Sequence, residues 1–165
     1  MQIRPARDDD FDAIAAITNH YITTTSIHFG YDALTGESLL AHRGHYPWFV
    51  AEEAGKVLGY AKAGVWRERA AYQWTCETGL YVAHDARGRG LGRQLYDALL
   101  AECAARGFRS AVAGITLPNP ASIALHEACG FSHVGTFADA GWKNGAWHAV
   151  DWWQKRFSTT PQGPT

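Results

Sequence analysis

Cysteine is scarce in this chain: Cys76, Cys103 and Cys129 are all it has. An odd count with no C-x-x-C pair argues against a disulfide framework and a zinc site, and no metal is expected. No stretch reaches 18 consecutive apolar residues, and the N-terminus lacks the apolar run of a secretory leader. Neither membrane association nor export is expected, and the cytoplasm is the expected compartment. Charge of one sign is not in excess either. Lys and Arg number 15 against 16 Asp and Glu, a formal net charge of −1. That leaves no global basic field to attract nucleic acid. The basic residues from 87 to 93 form a local cluster, which suits a small anionic ligand.

What the chain does have is enough apolar sequence for a core. At 165 residues, 47% apolar and 19% charged, it reads as one soluble globular domain over residues 1–157. Residues 158–165 read as a disordered C-terminal tail. Seven tryptophans are expected mostly in the core, with some left to wall a pocket or an interface.

Gln2 to Arg4 reads as a short strand. Asp8, Asp9 and Asp10 supply an N-cap and first-turn charge for a helix whose apolar face carries Phe11, Ile14, Ile17, Thr18 and Tyr21. A loop over 23–36 precedes a weaker helix from Glu37 to Arg43. Trp48–Glu52 and Val57–Val65 pair as a hairpin. Tyr72 to Val82 reads as an unusually long strand of about eleven residues, with Gly79 as a bulge. Leu91, Leu95, Leu99 and Cys103 mark a helix that stops at Gly107. A strand over Ser110–Ile115 follows. Asn119-Pro120 then opens a helix that ends at Gly130. Strands Phe131–Ala138 and Trp147–Phe157 close the chain around a Lys143-Asn144-Gly145 turn. The order β-α-(α)-β-β-β-α-β-α-β-β predicts a mixed α/β domain, antiparallel first and βαβ later.

The turn Arg87-Gly88-Arg89-Gly90-Leu91-Gly92 lies between a strand and a helix. Such a turn leaves unpaired N–H groups at a helix N-terminus, where the dipole favours phosphate. Arg87, Arg89 and Arg93 add charge suited to pyrophosphate. The spacing is not the G-x-G-x-x-G of dinucleotide-binding folds, and no Lys-Ser/Thr pair follows as in a P-loop. Glu77, within the preceding strand, is either an exposed or ion-paired strand residue or a base whose pKa burial raises. His126 is either a satisfied helix-face histidine or a proton donor or acceptor.

Arg-x-x-Gly-x-Gly at a helix start resembles the coenzyme A pyrophosphate loop of the GNAT N-acyltransferase superfamily. Asn119-Pro120 through Gly130-Phe131 is similar to another part of that pattern. Asn19-His20-Tyr21-Ile22, Tyr46-Pro47-Trp48, Trp74-Thr75-x-Glu77, Leu125-His126-Glu127-Ala128 and Gly141-Trp142-Lys143-x-Gly145-x-Trp147-His148 extend the resemblance to the phosphinothricin N-acetyltransferase branch. That branch also acts on methionine sulfone and methionine sulfoximine. The resemblance implies a GNAT-type mixed central sheet flanked by helices on both faces, acetyl-CoA as co-substrate, a small amino-acid-like amine as acceptor, and a homodimer. It implies Glu77 as general base and His126 as a second catalytic or orienting group. Leu80, Tyr81 and Val82 would hold the pantetheine arm like an added strand. Arg87, Gly88, Arg89, Gly90, Leu91, Gly92 and Arg93 would hold the pyrophosphate, and Asn119 would contact the coenzyme arm. Phe29, Arg67, Arg69, Tyr72 and Tyr81 would line the acceptor pocket, with arginine gripping the acceptor's acidic group. Gly30, Glu68 and Gly79 depart from the branch on the acceptor side. A catalytically silent acyl-CoA sensor and an N-acetyltransferase for protein or peptide amines are the alternative readings.

Overall fold

A computed structural model describes residues 1–157; the expected tail, 158–165, lies outside the described residues. Seven strands form one sheet: β1 (Gln2–Pro5), β2 (Trp48–Glu53), β3 (Lys56–Val65), β4 (Thr75–Val82), β5 (Ser110–Thr116), β6 (Ser132–Lys143) and β7 (Ala146–Arg156). Their spatial order is β1-β2-β3-β4-β5-β7-β6, and β4–β5 is the parallel pair within it. The helices are α1 (Phe11–Thr24), α2 (Gly36–Arg43), α3 (Leu91–Ala105) and α4 (Pro120–Ala128).

Two apolar clusters lie on opposite faces of the sheet, because successive strand residues point opposite ways. Phe11, Ile14 and Tyr21 of α1 and Leu39 of α2 pack on Trp48, Val50 and Tyr60. Leu91, Leu95, Leu99 and Cys103 of α3 pack with Ala61, Ala63, Cys76, Ala111 and Trp153 on the other face. Helices therefore flank both faces of a mixed sheet, as expected. All three cysteines are buried thiols.

The long strand expected from Tyr72 is shorter. Ala70–Tyr72 is a 3-10 turn and β4 begins at Thr75. Gly79 is not a bulge: β3 and β4 pair in unbroken register from Gly59–Val82 to Val65–Cys76. The final hairpin is longer than expected, with β6 running to Lys143 through irregularities at 133–135 and 137–141. The three aspartates also behave differently. Asp8–Asp10 form a 3-10 turn, and no side-chain cap bonds the start of α1. Asp10 instead accepts 2.7 Å bonds from both terminal nitrogens of the buried Arg4 guanidinium. Arg4 holds the Asp10 carboxyl below the usual carboxylate range.

Two observations about the sheet position the site. The β4–β5 ladder runs only from Thr75–Ser110 to Glu77–Val112, although both strands continue. Beyond Glu77 the strands part, and the facing backbone edges of 78–82 and 113–116 border a cavity. The turn entering α3 requires glycine: Gly88 and Gly90 both have φ +74°, a region open to glycine at no steric cost.

Candidate active site

The cavity in the β4–β5 cleft has a volume of about 820 Å³. Glu77, Leu80, Tyr81, Val82, Arg87, Gly88, Gly90, Leu91, Gly92, Arg93, Asn119 and His126 all border it. The sequence thus names most of one wall, and the fold brings those residues together. Arg89 is not among them; it turns outward and forks onto Glu53 at 2.8 and 2.9 Å. Arg93 binds Asp97 at 2.9 Å and the Ala128 carbonyl at 2.8 Å. Arg87 is held by Tyr21: a guanidinium N–H donates to the phenol oxygen at 3.1 Å, and the group lies 5.3 Å over the ring. The arginine side chains thus being engaged elsewhere, the group the turn itself offers an anion is its backbone N–H array at the start of α3. A Cβ on Gly88 or Gly90 would meet no atom within 4 Å, so the turn leaves room for a phosphate against its N–H groups. At Gly92 a Cβ would come 3.1 Å from Leu125, so this glycine lets α3 approach α4.

The freed edge of β4 offers peptide groups from Thr78 to Val82 to an extended ligand. Tyr21 donates to the Val82 carbonyl at 2.6 Å. Asn119 caps α4, accepting from the Ser122 N–H at 3.2 Å, and so shapes the cavity wall as well as bordering it. A pantetheine arm with its two amides fits this edge, and a pyrophosphate fits the turn beyond it.

Glu77 is half-buried and borders the cavity, and its carboxyl makes no hydrogen bond to any described residue. Burial raises its pKa, and the positive charges of Lys62 and Arg67 partly oppose the rise. The shift is in the direction that suits a proton-accepting carboxylate.

His126 occupies the opposite side of the cleft and is only 4% exposed. Its Nδ1 lies 2.7 Å from the Ser122 carbonyl, which can only accept, so Nδ1 carries the proton. Nε2 then accepts from the Tyr96 hydroxyl at 2.9 Å. Burial lowers the His126 pKa, in keeping with a neutral ring. The Tyr96 hydroxyl also lies 3.5 Å from Thr78 Oγ1.

The acceptor-side expectations fare unevenly. Tyr81 lines the cavity. Phe29, Arg67, Arg69 and Tyr72 are not part of its wall. Phe29 packs on Gly141, where a Cβ would come within 2.4 Å of its ring. Arg67 lies 5.0 Å over the Trp66 ring, Arg69 is exposed, and Tyr72 stacks edge-on against Trp66. The wall instead contains Tyr21, Ile27, His28, Lys62 and Tyr96, which sequence reading did not single out. Lys62 carried a usable signal, a lysine in the middle of an otherwise apolar strand. His28 sat in a loop without periodicity and carried none.

The Acetyltransferase (GNAT) family model matches residues 13–131. The phosphinothricin N-acetyltransferase of Streptomyces viridochromogenes is 44% identical over 161 residues, covering 95% of this chain and 88% of that protein. The L-methionine sulfoximine/L-methionine sulfone acetyltransferase of Pseudomonas aeruginosa is 41% identical over 120 residues, covering 72% and 70%. A GNAT phosphinothricin acetyltransferase from Sinorhizobium meliloti, solved with acetyl-CoA, superposes with a TM-score of 0.93 at 32% identity, covering 99% of this chain and 92% of that one. The cleft between diverging strands, the glycine turn and these likenesses agree: the chain belongs to the GNAT acetyltransferase family.

Proposed function

We propose that this enzyme transfers acetyl from acetyl-CoA directly to the amine of a small amino acid or analogue of the phosphinothricin, methionine sulfoximine or methionine sulfone type. The observation that carries the reading is the placement of Glu77, a desolvated carboxyl inside the same cleft that fits the coenzyme. A silent acyl-CoA sensor has no use for such a group, because burying a carboxyl away from a hydrogen-bond partner costs stability. The named activities of the relatives support the acceptor class.

The co-substrate supplies an acetyl thioester, and the residues of the chain do the rest. Leu80, Tyr81 and Val82 receive the pantetheine arm, and the turn from Gly88 to Gly92 receives the pyrophosphate. Glu77 takes a proton from the acceptor ammonium, so that the nitrogen lone pair attacks the thioester carbonyl. The C–N bond forms, the C–S bond breaks, and the second proton shed by the nitrogen goes to the departing sulfur, which leaves as thiol. His126 has both ring nitrogens engaged and no free lone pair for the amine proton. It serves as an orienting group that fixes the Tyr96 hydroxyl at the cleft.

Release of free coenzyme thiol, followed over a panel of amino acids, peptides and aminoglycosides, tests the acceptor class. Faster turnover of peptides or aminoglycosides than of every amino acid would overturn it. Glu77→Gln tests the base. Turnover should fall by about 10²–10⁴, the usual cost of losing a general base, with acetyl-CoA affinity intact. A variant keeping more than half the turnover refutes the role.

A further inference from the structure

Lys62 has no task in the reading above, yet its surroundings are specific. It lies in β3 between Tyr60 and Gly64, opposite Trp48 on one side and Gly79 on the other. A Cβ on Gly79 would lie 3.4 Å from Lys62 Cε and 3.7 Å from Cγ. The lysine stem therefore passes over Gly79 at a distance where a Cβ would just touch it. On the other flank Lys62 Nζ lies 5.2 Å over the Trp48 ring. The side chain thus runs between Gly79 and Trp48, and the residue borders the cavity.

The ammonium makes no hydrogen bond or ion pair with any described residue. Lys62 is half-buried, and that burial lowers its pKa while the Glu77 charge opposes the fall. A desolvated ammonium without an acceptor is a costly arrangement that an anionic ligand relieves. Arg87 and Arg93 line the cavity at the glycine turn, whereas Lys62 borders it beside Glu77 in the sheet.

Resting on the acetyltransferase reading, we propose that Lys62 is the specificity determinant that receives the acceptor's acidic group, seated over Gly79 beside Glu77. Lys62 faces Gly79 across the β3–β4 ladder, and Glu77 faces Gly64 two residues along. They are diagonal neighbours on one face, within reach of each other for long side chains. An α-amino acid carries its amine and its carboxylate on a single carbon. The two ends of that unit meet two adjacent and complementary groups: the carboxylate meets the Lys62 ammonium, and the amine meets the Glu77 carboxylate.

The test compares methionine sulfone with the amine left when its carboxyl group is removed. Lys62→Met keeps most of the stem over Gly79 and deletes the charge. The ratio of kcat/KM for the acid to that for the amine should fall by about tenfold or more, the scale of one lost charged hydrogen bond. A ratio cancels any common loss of folded or active enzyme. Lys62→Gln carries the same expectation should the methionine variant not fold, and Lys62→Arg should retain most of the ratio. An unchanged ratio in Lys62→Met or Lys62→Gln would overturn the assignment and leave the transferase reading standing. Failure of the wild type to acetylate any amine, with acetyl-CoA bound, would overturn both.

Discussion

Replacing Lys143 with methionine should cost both stability and acceptor binding. Lys143 is 3% exposed at the end of β6. Its ammonium donates to three main-chain carbonyls, those of Ile22 at 2.6 Å, Gly30 at 2.9 Å and His28. Those carbonyls belong to the end of α1 and the loop that follows it, which carries Ile27 and His28 into the cavity wall. Each hydrogen bond to a charged group contributes about 1.5–3 kcal/mol net, so three give roughly 5–9 kcal/mol. Burying the ammonium takes back several kcal/mol, which methionine does not incur. The difference is a loss of about 2–4 kcal/mol, with the stem volume preserved. For a domain of this size 1 kcal/mol moves Tm by about 2–4 °C, so a drop of about 5–15 °C should appear by thermal denaturation. The apparent KM for the amine should rise while acetyl-CoA affinity by titration calorimetry stays constant, because the clamp touches only the acceptor side. A Tm within about 2 °C of wild type would refute the reasoning, showing that the three bonds merely offset the desolvation of the ammonium.

Gly90→Asp places a side chain and a negative charge at a φ +74° position of the coenzyme turn; acetyl-CoA affinity by calorimetry should fall by at least about tenfold with a native circular dichroism spectrum, and unchanged affinity would remove the anion-site assignment. Because burial raises the Glu77 pKa and the base works only when ionised, kcat/KM should fall on the acid side at a pH above the ordinary glutamate range. Lys62→Met should move that limb higher still, since the lysine charge opposes the rise; a limb that stays put would separate the two groups. The homodimer is proposed to form through the β6–β7 hairpin, where Val134, Phe137, Trp142 and Trp147 are 64%, 64%, 49% and 60% exposed, an apolar surface of the kind that marks interfaces. Light scattering at micromolar concentration should give about twice 18.1 kDa, and a mass near 18.1 kDa would sink the dimer.

The elements with strong local patterns were legible. Leu91, Leu95, Leu99 and Cys103 recur every four residues and all four are buried. Asn119 caps and Pro120 opens α4 as their types suggest. Gly107 and Gly130 have the positive φ expected of helix stops. Errors arose where a residue's partner is distant in sequence. Asp10 looks like a helix cap, but a buried Arg4 guanidinium in β1 binds both its oxygens and outcompetes the local N–H groups. Ala71-Tyr72-Gln73-Trp74 has strand-like composition, yet residues 70–72 turn where Tyr72 packs on Trp66. Lys143 reads as an ordinary solvated turn residue; the carbonyls that bury it lie more than a hundred residues earlier. Of the tryptophans, Trp48 and Trp153 are core residues as expected, whereas Trp142 and Trp147 are exposed and stack at 5.4 Å.

The division of labour in the cleft follows from the pleat of β4. Glu77 and Thr78 are adjacent, so their side chains leave opposite faces of the sheet. Glu77 points towards the α1 side with Lys62, and Thr78 towards the α3 side, where its hydroxyl lies 3.3 Å from the Val112 carbonyl and near Tyr96. The ladder to β5 ends at Glu77, so the strands part at the point where the two faces first become accessible from one cleft. A slip of one residue between β3 and β4 would exchange the faces, sending the carboxyl into the α3 core and Thr78 to the acceptor side. The register is pinned against that slip by both packed faces. Lys62 crosses Gly79 on one face, and Cys76 and Thr78 are buried on the other, so a slip would have to unpack both.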